Sequence, residues 1–176
     1  MDITKRTVIM NPFINSQFGY CPLVWMCHSR RLNNRINKIQ ERSLRIVYDD
    51  VNSTYEELLT KDGTVTVHEK NIQKLAIEMY RVIHNCSPDI MKDIFQIKEK
   101  DIYKSKFPFK SSNIKTVNYG THSLRYLGPK VWSILPETLK NLNNLEEFKR
   151  KIKQWKPIGC ICRLCKNYVH GVGFVD

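Results

Sequence analysis

Residues 29–48 read SRRLNNRINKIQERSLRIVY, and the spacing within this stretch decides the fold class. Leu32, Ile36, Ile39, Ser43 and Ile46 follow one another at intervals of four, three, four and three, which sets them on one face of an amphipathic α-helix. That face is expected to turn inward. One position ahead of each stands a cation: Arg31, Arg35, Lys38, Arg42 and Arg45 repeat the same intervals about 100° around the axis. Glu41 alone offers local compensation, and like charges at such spacings cost an isolated helix a few tenths of a kcal/mol per pair. The row is either a solvated charged face or a phosphate-binding stripe. Arginine outnumbers lysine in it four to one, and a planar guanidinium fork fits phosphate oxygens better than an ammonium does, which favours the second reading.

Upstream, residues 11–26 mix aromatics, Leu23 and Val24 with Pro12, Gly19 and Pro22, the pattern of interrupted helix packed into a core. Downstream, Ser53 with Glu56 and Thr66 with Glu69 each fit a capping box, in which hydroxyl and carboxylate satisfy the orphan amides of a helix start. The second box opens a long helix with Ile72, Leu75, Met79 and Val82 inward and Ala76 and Ile83 widening the face. Asn85-Cys86-Ser87-Pro88 ends it, before a short helix led by Ser87 and Pro88. Periodicity is lost over residues 98–118, where Lys104, Lys106 and Lys110 alternate with Tyr103, Phe107 and Phe109 around Pro108; a short strand is expected at 115–119. Gly128-Pro129 opens a one- or two-turn helix through Val131, Trp132 and Leu135, stopped by Pro136. A last helix runs from about Asn144, with Leu145, Phe148, Ile152 and Trp155 inward, Lys149, Arg150, Lys151, Lys153 and Lys156 elsewhere, and Pro157 closing it. The expected fold is mainly α: a small helical domain of about five to six helices with a long basic loop and a Cys/His-rich tail. The chain divides into a helical segment at 1–97, the loop at 98–127, C-terminal helices at 128–157 and the tail at 158–176.

The chain has 176 residues, 41% of them hydrophobic, so it can bury one sizeable core or two small ones. Its 29 Lys+Arg against 17 Asp+Glu leave +12, self-repulsive unless a polyanion neutralises the working surface. RNA or DNA is the expected partner, with Lys149, Arg150 and Lys153 of the final helix adding to the stripe. No signal-peptide core or membrane-spanning run is present, so no membrane is expected, residence is expected to be nuclear or cytoplasmic, and the six cysteines should stay reduced. In the loop, Tyr103, Phe107 and Phe109 could stack unpaired bases, but aromatics beside proline are more often satellite core. In the tail, Cys162-x2-Cys165-x4-His170 copies the first three ligands of a zinc knuckle. Val175 stands where the fourth ligand belongs, leaving Cys160 as substitute through a cramped C-x-C bite. Structural zinc on Cys160, Cys162, Cys165 and His170 and a cluster of reduced thiols are both open.

No active site is legible. Tyr48-Asp49-Asp50 is similar to the paired aspartates of a polymerase, but that motif needs one residue between the aromatic and the pair. Asp49 and Asp50 are expected to form a helix-end turn. No Ser-His-Asp set, phosphate-cradling glycine loop or HExxH is found, and the chain is expected not to be an enzyme.

Five strings in order resemble the region downstream of the polymerase domain in jockey-like non-LTR (LINE-type) retrotransposon proteins. They are Tyr20-Cys21-Pro22-Leu23-Val24-Trp25, residues 34–48 (NRINKIQERSLRIVY), Tyr55-Glu56-Glu57-Leu58-Leu59, residues 120–132 (GTHSLRYLGPKVW), and Trp155-Lys156-Pro157 running into Cys160-x-Cys162-Arg163-x-Cys165. The resemblance covers nearly the whole chain from about Asn11. It implies a parent endonuclease and reverse transcriptase that nicks target DNA and copies its own RNA from the nick. This chain would supply thumb-like and C-terminal parts holding the template–primer duplex. The family's catalytic residues lie upstream and have no counterpart here, so none is carried over. The opening Met1-Asp2-Ile3 does not resemble a polymerase start, as expected of a truncated or degenerate copy. The alternative to nucleic-acid binding is a structural segment whose apolar faces dock on an upstream polymerase domain.

Overall fold

Helix ends follow from the caps the sequence supplies. In the computed structural model, which describes residues 3–27, 29–95, 97, 108–110, 120, 123–158, 168–169 and 173–174, α1 (Ile3–Met10) leads through a π-helical turn (Asn11–Asn15) into two one-turn helices, α2 (Ser16–Gly19) and α3 (Pro22–Trp25). The expected interrupted helix is thus observed, but its packing into a core is not: Phe13, Tyr20 and Val24 are exposed, and among residues 12–26 only Met26 is buried. The long helix α4 (Arg30–Tyr48) is capped by the Ser29 hydroxyl, which accepts from Leu32 N, and ends where Asp49 turns left-handed at φ 53°. Helix α5 (Tyr55–Asp62) has the capping box one residue later than expected, at Thr54 and Glu57. Ser53 is instead held by Asp50, which accepts from its amide and hydroxyl. Gly63, at φ 64°, closes α5. The Thr66–Glu69 box opens α6 (Val67–Ile83) as expected. Asn85, at φ 55°, follows its end, and α7 begins at Asp89 (Asp89–Phe95), with Ser87 and Pro88 preceding its first turn.

Helix α8 (Leu124–Ile134) starts four residues before the Gly128-Pro129 start expected, with Pro129 inside it. A one-turn α9 (Glu137–Lys140) follows Pro136, and α10 (Leu145–Ile152) is capped by Asn144, whose side chain accepts from Glu146 N and Glu147 N. Two short strands, β1 (Tyr168–Val169) and β2 (Gly173–Phe174), pair antiparallel in the tail. The fold is mainly helical, as the sequence predicts.

The chain divides into two compact units at residues 71 and 72, inside α6. In the first unit, Met10, Leu44, Val47, Leu58 and Leu59 form the core, with Ile14, Tyr48 and Tyr55 packed on it. In the second, α6 buries Ile72, Leu75, Ala76, Met79 and Val82, the face the sequence predicts, and Tyr80 as well. Tyr80 stacks on Phe148 of α10 at 4.3 Å between ring centroids and donates its hydroxyl to Leu142 O at 2.6 Å. Gln73 donates to Lys153 O and Trp155 O, tying down the end of α10. Gly128 lies where a Cβ would come within 2.6 Å of the Phe95 ring and 2.7 Å of Met79 Sδ, so only glycine lets α8 approach this closely.

Candidate nucleic-acid interface

The face of α4 that turns inward is only in part the one expected. Of the expected set Ser43 is buried and Ile36 half-buried, but Leu32, Ile39 and Ile46 stay 47%, 49% and 68% exposed, and Asn33, Gln40, Leu44 and Val47 are buried in their place. The buried lane runs one residue behind the predicted one, so the helix is rotated by about 100° from the expected setting. Gln40 explains why a polar lane can face in. Its Nε2 donates to Val65 O at 3.1 Å, and its Oε1 accepts from Val67 N at 3.1 Å and from the Tyr55 hydroxyl at 2.7 Å. One side chain thereby holds α4, the start of α5 and the start of α6.

With the core on that side, the cationic row lies on the far side of α4. Arg31, Arg35, Lys38 and Arg42 are all exposed, and none has an ion-pair partner among the described residues. Arg45 is different. Its Nη2 pairs with Glu41 Oε1 at 2.8 Å and its Nη1 donates to Val51 O at 2.6 Å and Asp50 O at 3.3 Å, so it holds the turn that follows its own helix. Arg6 does the same from α1, donating to Ile46 O at 3.1 Å and pairing with Asp49 at 3.4 Å. Sequence reasoning missed Arg6, because its partners lie forty residues and more away in the chain.

Asp49 and Asp50 form the helix-end turn expected of them. Backbone and hydroxyl donation from Ser53, then Lys61 at 3.3 Å, lower the Asp50 carboxyl from its ordinary 3.8 to about 2. Both aspartates are therefore engaged in closing helices.

In the second unit the final helix is partly self-neutralised. Lys149 pairs with Glu146 at 2.6 Å and Lys151 with Glu147 at 2.7 Å, while Arg150 and Lys153 are exposed. Phe109 is buried, forms a bridge with Ile97 and meets the Trp132 ring edge-on at 6.4 Å, so this aromatic belongs to the core and is no stacking platform. Tyr103 and Phe107, the expected strand at 115–119, and Cys160, Cys162, Cys165 and His170 lie outside the described residues. Among the described residues no three His, Cys, Asp or Glu side chains gather as a metal site, Cys21, Cys27 and Cys86 form no disulfide, and no helix is long and apolar enough to cross a membrane. The chain matches no family model, no curated protein and no solved structure.

Proposed function

We propose that the chain is a non-catalytic nucleic-acid-binding module in which Arg31, Arg35, Lys38 and Arg42 contact backbone phosphates, with Arg150 and Lys153 adding a second, smaller patch. The observation that carries the reading is the four-cation row on the side of α4 opposite its buried lane, with no described carboxylate paired to it. A net +12 supports it, since counter-ion release from phosphates is the ordinary return for assembling such a surface. On the resemblance to retrotransposon proteins, the polyanion is RNA or a template–primer duplex held for a polymerase encoded upstream. Arg45 is left out of the contact set because its guanidinium is committed to Glu41 and to the two carbonyls.

Replacing Arg35 and Arg42 together with Gln is expected to flatten the slope of log affinity against log salt. The loss is roughly 0.7 to 0.9 per contact, or about 1.4 to 1.8 for the two, measured by titrating labelled RNA at several ionic strengths. An unchanged slope removes α4 from the interface. A second reading, docking on another protein surface, is favoured by exposed Phe13, Tyr20 and Val24 in the first unit.

A further inference from the structure

The rotation of α4 leaves a second lane that phosphate binding does not use. Leu32, Ile39 and Ile46 recur every seven residues, all exposed, between the buried lane and the cations. Arg35 and Arg42 fall three residues after Leu32 and Ile39. These five positions are the a and d sites of a coiled-coil heptad, with Arg31 and Lys38 at the flanking g sites. A solvated helix face has no need of three aliphatic side chains at that period. Apolar burial on the far side cannot explain them either, because the core is served by Leu44 and Val47.

We infer that this face is a docking seam for an acidic amphipathic helix, a protein partner with aliphatic residues at heptad spacing and carboxylates beside them. This goes beyond the nucleic-acid reading, sharing its arginines but adding the aliphatic lane. Charge selects the occupant. A second copy of α4 would set Arg35 and Arg42 against their own copies in a parallel pair, and the flanking Arg31 and Lys38 against their own kind in an antiparallel one, so either orientation brings cations together. Phosphates alone would meet the cations and leave Leu32, Ile39 and Ile46 in water. A parallel helix with Glu at its d and e sites meets Arg35 and Arg42 with the first and Arg31 and Lys38 with the second, while its own aliphatic a row covers the lane. The three aliphatic positions span about 21 Å, so a partner helix of roughly four turns covers them.

The test uses the full chain and a labelled synthetic peptide of three heptads with Leu at a and Glu at d and e, beside a scrambled peptide of the same composition. Anisotropy titration is expected to show the patterned peptide binding at least about ten-fold more tightly than the scrambled one. Leu32→Ser with Ile39→Ser and Ile46→Ser is expected to abolish that preference, each lost aliphatic contact being worth about ten-fold. The same variant is expected to keep its affinity for labelled RNA within about two-fold, whereas Arg35→Gln with Arg42→Gln weakens both ligands. RNA and peptide are expected to compete. Because the substituted aliphatics are exposed, helicity by circular dichroism should be unchanged, and Ile39→Ser alone serves as the milder variant. Equal binding of the two peptides, or patterned-peptide binding that survives the serine substitutions, overturns the inference. So does a serine-sensitive association with phosphatidylserine vesicles in place of the peptide. Loss of RNA binding in the serine variant would instead place nucleic acid on the aliphatic lane and overturn it too.

Discussion

Gln40 joins three segments of the first unit through one carboxamide, and its removal is informative because its partners stay behind. Gln40→Ala leaves the buried Val67 amide without its acceptor and removes one hydrogen bond each from the half-buried Tyr55 hydroxyl and Val65 carbonyl. A buried orphan costs about 1–3 kcal/mol and each lost hydrogen bond about 1, so a loss of at least about 2 kcal/mol is expected in urea denaturation. Asn71 gives the opposite sign. It is 1% exposed, and neither its Nδ2 nor its Oδ1 has a hydrogen-bond partner among the described residues. Asn71→Leu removes two unsatisfied polar atoms while keeping the branched shape and heavy-atom count of the side chain, and the same denaturation series is expected to show it neutral or stabilised. If both substitutions destabilise equally, hydrogen bonding does not distinguish these two sites.

At the scale of elements, the turn between α4 and α5 is closed by an ionised carboxylate. Asp50 has its pKa lowered to about 2 in the folded chain, so as pH falls the unfolded chain takes up that proton first. The stabilisation is therefore complete above the ordinary 3.8 and lost as pH falls through about 2. Asp50→Asn, which cannot titrate, is expected to lose stability less steeply than the natural chain across that window, read from urea midpoints at successive pH values. A parallel pair of curves would remove Asp50 from the acid response. The elements themselves were largely legible: the inward face of α6 was readable because its apolar period has no rival. The setting of α4 was not, because two lanes compete. The lane with Leu32, Ile36, Ile39 and Ile46 is the more apolar, but Leu44 and Val47 share the other with the buried carboxamides of Asn33 and Gln40, and Gln40 finds partners only after α5 and α6 fold against it. Of the candidate site, the exposed cations were legible one by one from their period. The diversion of Arg45 was not, since the carbonyls it binds exist as acceptors only once the helix has ended at Asp49.

For the whole molecule, a charge of +12 and exposed aromatics make opposing demands. Like charge keeps copies apart at low salt, whereas Phe13, Tyr20 and Val24 draw apolar surfaces together. Gel filtration at two protein concentrations, with and without RNA, separates the two proposals. A single small species that shifts only when RNA is added is the expected result. Concentration-dependent association indifferent to RNA would favour docking through the apolar residues.

The arginines spent on the end of α4 have a consequence for any strand that lies along it. A bare helix is polarised, and its carboxyl terminus repels an anion as its amino terminus attracts one. Arg6 sits on Ile46 O in the last turn and Arg45 on carbonyls of the turn just beyond, so two guanidinium groups offset the repelling pole. A polyanion therefore meets attraction along the full rod in either direction, and its 5′-to-3′ sense is left for contacts elsewhere to choose.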